Sequence, residues 1–390
     1  MIVEPKVKGF ICTTAHREGC KESVKRQIDY VIKNKADYND CVKNKKVLVV
    51  GASTGYGLAS RIALSFGCDA DTLGVMYEKE ASGKRTATAG YYNTEAFEEF
   101  AKANGKYAKT INGDAFSREV KEEIVKTIKE DMGKVDMIVY SLAAPRRTAA
   151  DGTVYKSVLK TVGNDFTEKN LNLNDNTIST VTIPAATEEE VNDTIKVMGG
   201  EDWMELIDYL YEQGVLSSDV KTIAYSYIGP KLTYPIYNDG TIGQAKKHLF
   251  KSAGDINEKY APNGIKAYVS VNKAIVTQAS SAIPIVPLYF SILYKVMKEA
   301  GNHENCIEQM HRLFSKKFND KEVILDDNGL IRMDDYEMSE EIQSKVGEIW
   351  KIINSDNIKE YADIKGFFED FYNMFGFMYE NIDYSKDILI

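Results

Sequence analysis

The segment KVLVVGASTGYGLASRI, residues 46–62, decides how the rest of the chain is read. Val47, Leu48, Val49 and Val50 run straight into Gly51, and Gly55 and Gly57 follow before helical periodicity begins. A short, β-branched apolar run of this kind suits a strand buried on both faces of a parallel sheet. Glycines spaced G-x-x-x-G-x-G at a strand-to-helix turn let the backbone approach a pyrophosphate closely. The helix start adds unpaired N–H groups and the positive end of its dipole. The spacing is not G-x-G-x-x-G, and it lacks the Gly-Lys-Ser/Thr ending of a Walker loop.

The same rhythm continues outward. Strand-like runs at 46–52, 72–77, 107–111, 135–142, 222–227 and 266–271 alternate with helical periodicity at 57–66, 94–104, 119–132 and 242–260. This alternation predicts an α/β fold, a doubly wound parallel sheet of Rossmann type with helices on both faces. With no Pro/Gly/Ser linker, residues 1–390 read as a single enlarged domain. Residues 1–45 form an N-terminal extension, and 46–280 a nucleotide-binding core. The core carries a polar insertion at 145–200, read as a small hairpin beside the sheet. Residues 281–390 form a substrate lid and a helical C-terminal region.

Composition narrows the function. A net charge of −9 argues against binding nucleic acid through its phosphates, and 44% hydrophobic residues supply a sizeable core. Cysteines at 12, 20, 41, 68 and 306 include no CxxC pair, which fits reduced thiols in the cytoplasm better than disulfides or zinc. Histidines 16, 248, 303 and 311 are scattered without metal-ligand spacing. The most apolar stretch, 282–297, is interrupted by Pro284 and Pro287, so no membrane insertion is expected.

Consecutive strand ends suit one dinucleotide. Glu78 follows the second strand, where a carboxylate accepts from the ribose hydroxyls and repels a 2′-phosphate, favouring NAD(H) over NADP(H). Lys79, Lys84 and Arg85 nearby leave that preference open. Asp114, in GDAF at the third strand end, either meets adenine or caps the next helix. SLAAP, residues 141–145, closes the fourth strand with the small residues a cofactor wall requires.

The reacting end is less regular. Tyr225, Tyr227, Tyr234 and Tyr237 cluster after the fifth strand, with Lys246 and Lys247 beyond, yet no Tyr-x-x-x-Lys occurs. That absence counts against an ordinary short-chain dehydrogenase acting on carbonyls. From Tyr237 to Lys246 is two and a half helical turns, so on one helix they face opposite ways. They can cooperate only if Tyr237 sits in the turn that NDGT, residues 238–241, would supply. Spacing alone leaves open a packed aromatic and a solvated lysine.

Taken together, GASTGYG at 51–57, YE at 77–78, SLAAPRR at 141–147, KVMGGEDW at 196–203, AYSYIG at 224–229, Tyr-x8-Lys at 237–246 and SVNKAIVTQAS at 270–280 resemble the trans-2-enoyl-CoA reductases, the FabV-type enoyl reductase group. The resemblance runs along almost the whole chain. It implies a monomeric enzyme that uses NADH to reduce the C2–C3 double bond of an enoyl thioester, carried by coenzyme A or by acyl carrier protein. It further implies Tyr237 as catalytic acid, Lys246 as its cofactor-binding partner and Tyr227 against the substrate thioester. Gly51, Ala52, Ser53, Thr54, Gly55, Tyr56, Tyr77, Glu78, Asp114, Ala115, Leu142, Ala143, Ile275, Val276 and Thr277 would line the dinucleotide site.

The apolar segment 280–301 directly follows that last group and is the expected lid over the acyl chain, unless it is a buried core helix. Ile285, Leu288 and Phe290 would then limit chain length. Arg146, Arg147 and Lys156 could meet coenzyme A phosphates, although each also suits a solvated surface. A carbonyl reductase and a non-catalytic NAD(H) sensor remain as competing functions.

Overall fold

The computed structural model describes residues 1–8, 11–38, 43–173, 175–277, 280, 283–318 and 323–390, with the backbone alone at residue 11. Seven parallel strands form the central sheet: β1 (Lys46–Val50), β2 (Asp71–Met76), β3 (Ala108–Asn112), β4 (Val135–Tyr140), β5 (Leu216–Ser226), β6 (Lys266–Val271) and β7 (Leu330–Arg332), in the order β3-β2-β1-β4-β5-β6-β7. The apolar run that opened the reading is β1 itself, with Val47, Leu48, Val49 and Val50 at most 1% exposed. Strand order reverses between β1 and β4, the place where an open α/β sheet leaves a crevice beyond its carboxyl ends.

Helices cover both faces. On one, α1 (Arg17–Lys33), α2 (Gly55–Ile62), α3 (Ala89–Ala103) and α9 (Cys306–Arg312) bury Val24, Ile62, Phe97 and Met310 against Val49. On the other, α4 (Arg118–Thr127), α6 (Glu201–Glu212) and α7 (Thr241–Tyr260) bury Ile124, Trp203 and Leu249 against Leu48. The N-terminal extension is therefore part of the core. The 145–200 insertion holds two antiparallel hairpins, Arg146–Thr148 with Val154–Lys156 and Phe166–Asn172 with Thr177–Ile183, followed by α5 (Glu188–Met198).

The C-terminal region differs from the expected lid. Helix α8 (Val286–Glu299) buries eleven of its fourteen residues, among them Leu288, Ile292 and Leu293 at 0% exposure. A helix apolar on every side belongs inside, and α8 is a core helix. Helices α10 (Glu340–Ile352) and α12 (Ile364–Asn373), with α11 (Ile358–Tyr361) between them, close over it through Trp350, Ile358, Phe367 and Phe371. Residues 281–282 of the expected lid lie outside the described residues. Strand β7, three residues set among aspartates, was not foreseen.

Candidate active site

The turn after β1 is built by close approach. Gly51 has φ +81°, and a Cβ there would sit 2.1 Å from the Ser141 carbonyl oxygen. A Cβ on Gly57 would lie 1.8 Å from the Gly51 oxygen, so any larger residue at either position strikes backbone. Gly55 faces open space, its nearest atom for a Cβ being Thr277 Cγ2 at 4.0 Å. Helix α2 starts there without a side-chain cap and without an acidic residue in its first turn. Its free N–H groups fit a pyrophosphate.

Glu78 is fixed beside this turn. Ser53 Oγ donates to Glu78 Oε1 at 2.6 Å, and the Asn112 side chain holds both the N–H (2.9 Å) and the carbonyl (3.0 Å) of Glu78. One carboxylate oxygen is thus left for a ribose diol. Tyr77 next to it is 75% exposed. Asp114 Oδ1 accepts from the Phe116 N–H at 3.0 Å, and the cap of α4 is Ser117 rather than Asp114. Ala115 is buried at the same strand end.

A cavity of about 970 Å³ extends from this end into the C-terminal region. Tyr56, Glu78, Leu142, Ala143, Ile275 and Thr277 line one side. Tyr227, Tyr237, Lys246, Ile283 and Phe290 line the other. Gly51, Ala52, Ser53, Thr54 and Gly55 belong to the turn that carries Tyr56. Val276 is buried and its N–H donates to Tyr294 Oη at 3.0 Å. Asp114, Ala115 and Tyr77 do not line the cavity.

Tyr237 sits in the turn before α7, so it escapes the opposite-face geometry of a continuous helix. Its N–H donates to the Thr233 carbonyl at 2.9 Å. Gly243 in the first turn of α7 has no Cβ, which would otherwise lie 2.2 Å from the Tyr237 backbone carbonyl oxygen. Burial and the Glu337 charge push the Tyr237 phenol above its usual range. Half-buried Lys246 donates to the Tyr225 carbonyl at 3.1 Å, and burial pulls its ammonium down to about 8. Tyr227 meets Tyr237 edge-on, ring centroids 4.8 Å apart and planes at 84°. Tyr225 lines the same cavity, but its hydroxyl shares a 2.5 Å hydrogen bond with Ser60 Oγ and its ring packs against Tyr56.

Two groups here escaped the sequence. Glu337 is fully buried and accepts from Tyr227 Oη (3.0 Å), Tyr289 Oη (2.7 Å) and the Ala274 N–H (2.6 Å). Lys273, 2% exposed, also lines the cavity. Glu337 has no local pattern that could have flagged it, and Lys273 stands unremarked inside SVNKAIVTQAS. Arg147 is a correction to the expected coenzyme A contacts. It is 5% exposed and committed to Glu201 (2.7 Å), Glu205 (2.9 Å) and the Lys196 carbonyl (3.0 Å). Arg146 and Lys156 are exposed and sit opposite each other in their hairpin.

Comparison with known proteins shows the family. Family models described as the trans-2-enoyl-CoA reductase catalytic region and the NAD(P)H binding domain of trans-2-enoyl-CoA reductase match residues 85–319 and 2–83. The chain belongs to the trans-2-enoyl-CoA reductase family. A relative from Clostridium perfringens named trans-2-enoyl-CoA reductase [NADH] is 55% identical over 389 residues, covering 100% of this chain and 99% of its own. An enoyl-[acyl-carrier-protein] reductase [NADH] from Saccharophagus degradans is 53% identical, covering 100% and 98%. The crystal structure of Treponema denticola trans-2-enoyl-CoA reductase in complex with NAD superposes with a TM-score of 0.95 at 44% identity, covering 100% of this chain and 98% of the other.

A third model of this reductase family, described as an enoyl reductase FAD binding domain, matches residues 325–388. The residues there do not fit a flavin dinucleotide. After β7 the chain carries Asp334, Asp335 and Glu337 where a pyrophosphate turn needs glycines, and α10 opens with Glu340 and Glu341. Asp334 and Asp335 are already committed to Arg332, Arg312 and Lys317, and the glutamates in the first turn of α10 disfavour a pyrophosphate there. Of this segment, only Phe375 lines the large cavity.

Proposed function

We propose that the chain reduces the C2–C3 double bond of short trans-2-enoyl-CoA thioesters with NADH, with Tyr237 as the acid, Lys246 holding the cofactor and Tyr227 against the substrate. The observation that carries this reading is that Tyr237 and Lys246 share one cavity with Glu78, Ile275 and Thr277. The relatives named above, both NADH enzymes, support the same chemistry. The glycine turn, the uncapped start of α2 and Glu78 are the residues that would hold the dinucleotide. Bound NADH supplies hydride to the β-carbon.

Negative charge then grows on the thioester oxygen. A phenol hydrogen bond at that oxygen strengthens as the charge develops, which stabilises the transition state more than the ground state. Tyr237 remains a donor at neutral pH because its burial holds the proton on. The Lys246 ammonium favours the same charge. Apolar Ile283 and Phe290 take the acyl chain.

Relatives named for coenzyme A and for acyl carrier protein are similarly close, so the carrier is a matter for assay. Crotonyl-CoA, crotonyl-acyl carrier protein and acetoacetyl-CoA, each followed by NADH absorbance, separate the alternatives. Fast turnover of crotonyl-CoA alone is expected. Consumption of acetoacetyl-CoA instead would make the chain a carbonyl reductase, and no turnover would make it a sensor. We take the working form to be a cytoplasmic monomer, and light scattering checks the mass.

A further inference from the structure

We propose that Glu337 is a positioning residue for the reduction: it takes the Tyr227 proton in a hydrogen bond, so that Tyr227 meets the cavity as an acceptor of fixed orientation. The inference rests on Tyr237 acting at the thioester oxygen.

The hydrogen bonds around Glu337 converge on its carboxylate. The Ala274 N–H can only donate, and it donates to Oε2 at 2.6 Å. Tyr289 accepts from Gln343 Nε2 at 3.2 Å, so its own proton goes to Glu337 Oε1 at 2.7 Å. Tyr227 Oη is 3.0 Å from the same Oε1 and gives its proton there as well. Gln343 Nε2 also donates to the Glu337 backbone carbonyl at 2.8 Å, which anchors the residue from α10. Three donors on one carboxylate suit its ionised form, in which both oxygens only accept. Burial opposes that form, and the nearby Lys273 charge favours it.

The consequence for Tyr227 is directional. With its proton committed to Glu337, its oxygen offers only lone pairs to the cavity. It cannot act as a second donor to the thioester oxygen, and Tyr237 is left as the donor at that oxygen. The edge-on contact between the two rings then fixes Tyr237 sideways. Through Ala274 the same carboxylate also holds the loop leading to Ile275 and Thr277, so the substrate and cofactor walls share one anchor.

Glu337→Gln reverses the pattern at nearly constant shape. Its amide oxygen is taken by the Ala274 N–H, and its NH₂ then donates to the two phenols. Tyr227 would then turn its proton into the cavity. A double-mutant cycle with Tyr227→Phe on crotonyl-CoA tests this. We expect Glu337→Gln to lower kcat on the order of tenfold, with the KM for NADH nearly unchanged, and to add little once Tyr227 is Phe. Glu337→Asp, which keeps the charge, should recover part of the loss. Effects that multiply in the double variant overturn the proposal, as does a normal kcat in Glu337→Gln or Tyr227→Phe. If Glu337→Gln does not fold, Glu337→Asp takes its place in the cycle, where effects that multiply with those of Tyr227→Phe overturn the proposal. Failure of the Tyr237 assignment shows elsewhere, as near-normal kcat in Tyr237→Phe.

Discussion

Removing one oxygen from Tyr237 is the smallest change that separates cofactor binding from turnover. Tyr237→Phe keeps the ring contact with Tyr227 and loses only the donor. Stopped-flow assays should show about a 100–1000-fold drop in kcat with NADH affinity intact. Lys246 adds a pH test. Its ammonium is pulled down to about 8 in the cofactor-free enzyme, and the charged form is the useful one. The kcat/KM for NADH should therefore be flat below that pH and fall above it, because this parameter reports the free enzyme. Lys246→Arg, which cannot deprotonate, should abolish the alkaline limb even if its plateau is lower. An unchanged limb in the arginine variant would assign it to another group. For Glu78, one oxygen is already taken by Ser53, so Glu78→Ala removes one charged hydrogen bond to ribose. About 1.5–3 kcal/mol is at stake, a rise in NADH KM of order 10–100-fold, with NADPH relatively less excluded. Equal use of both cofactors by the parent would argue against this role.

Helix α8 shows why an apolar segment next to a site need not be a lid. Of the three residues expected to limit the acyl chain, Phe290 lines the cavity, while Ile285 and Leu288 are wholly buried behind it. Ile285 also has φ +74°, a strained conformation for a β-branched residue, with its N–H donating to Asn170 Oδ1 at 2.9 Å. Phe290→Ala should extend activity from four- and six-carbon enoyl-CoAs to longer ones, each added methylene contributing about 0.8 kcal/mol once it is buried. Leu288→Ala should leave the chain-length profile alone and cost about 2–5 kcal/mol of stability, read by denaturant unfolding. Identical profiles for parent and Phe290→Ala would move the acyl slot to the wall formed by Leu159 and Met198.

The segments matched by three separate family models are not three separable bodies. The His16 N–H donates to the Phe375 carbonyl at 2.9 Å, and the Met1 ammonium donates to the Ile388 carbonyl at 2.7 Å, so the two chain ends are tied together. Strand β7 completes the edge beside β6, and Trp350, Phe367 and Phe371 cover α8. A chain cut after residue 324 would expose that helix, lose Glu337 and leave β6 an open edge. It should aggregate or lose all NADH oxidation, checked by size-exclusion and crotonyl-CoA assay. An active, monodisperse 1–324 fragment would contradict this account of the core.

What the chain disclosed unaided was local. The β1–α2 turn, the strand ends carrying Glu78 and Ala143, and the turn separating Tyr237 from Lys246 each occupy a few consecutive residues. Backbone hydrogen bonding and burial stamp a period of two or of 3.6 on such stretches, and a turn demands its glycines in place. The meeting of Tyr227 with Glu337, 110 residues apart, has no such signature. Nor does the choice between lid and core for α8, which depends on whether α10 and α12 arrive to cover it. The commitment of Arg147 to Glu201 and Glu205 was equally invisible, because a salt bridge between elements depends on how they pack. Order along the chain determines which elements form; only their packing decides which side chains share a cavity, because that is where buried polar groups must find their partners.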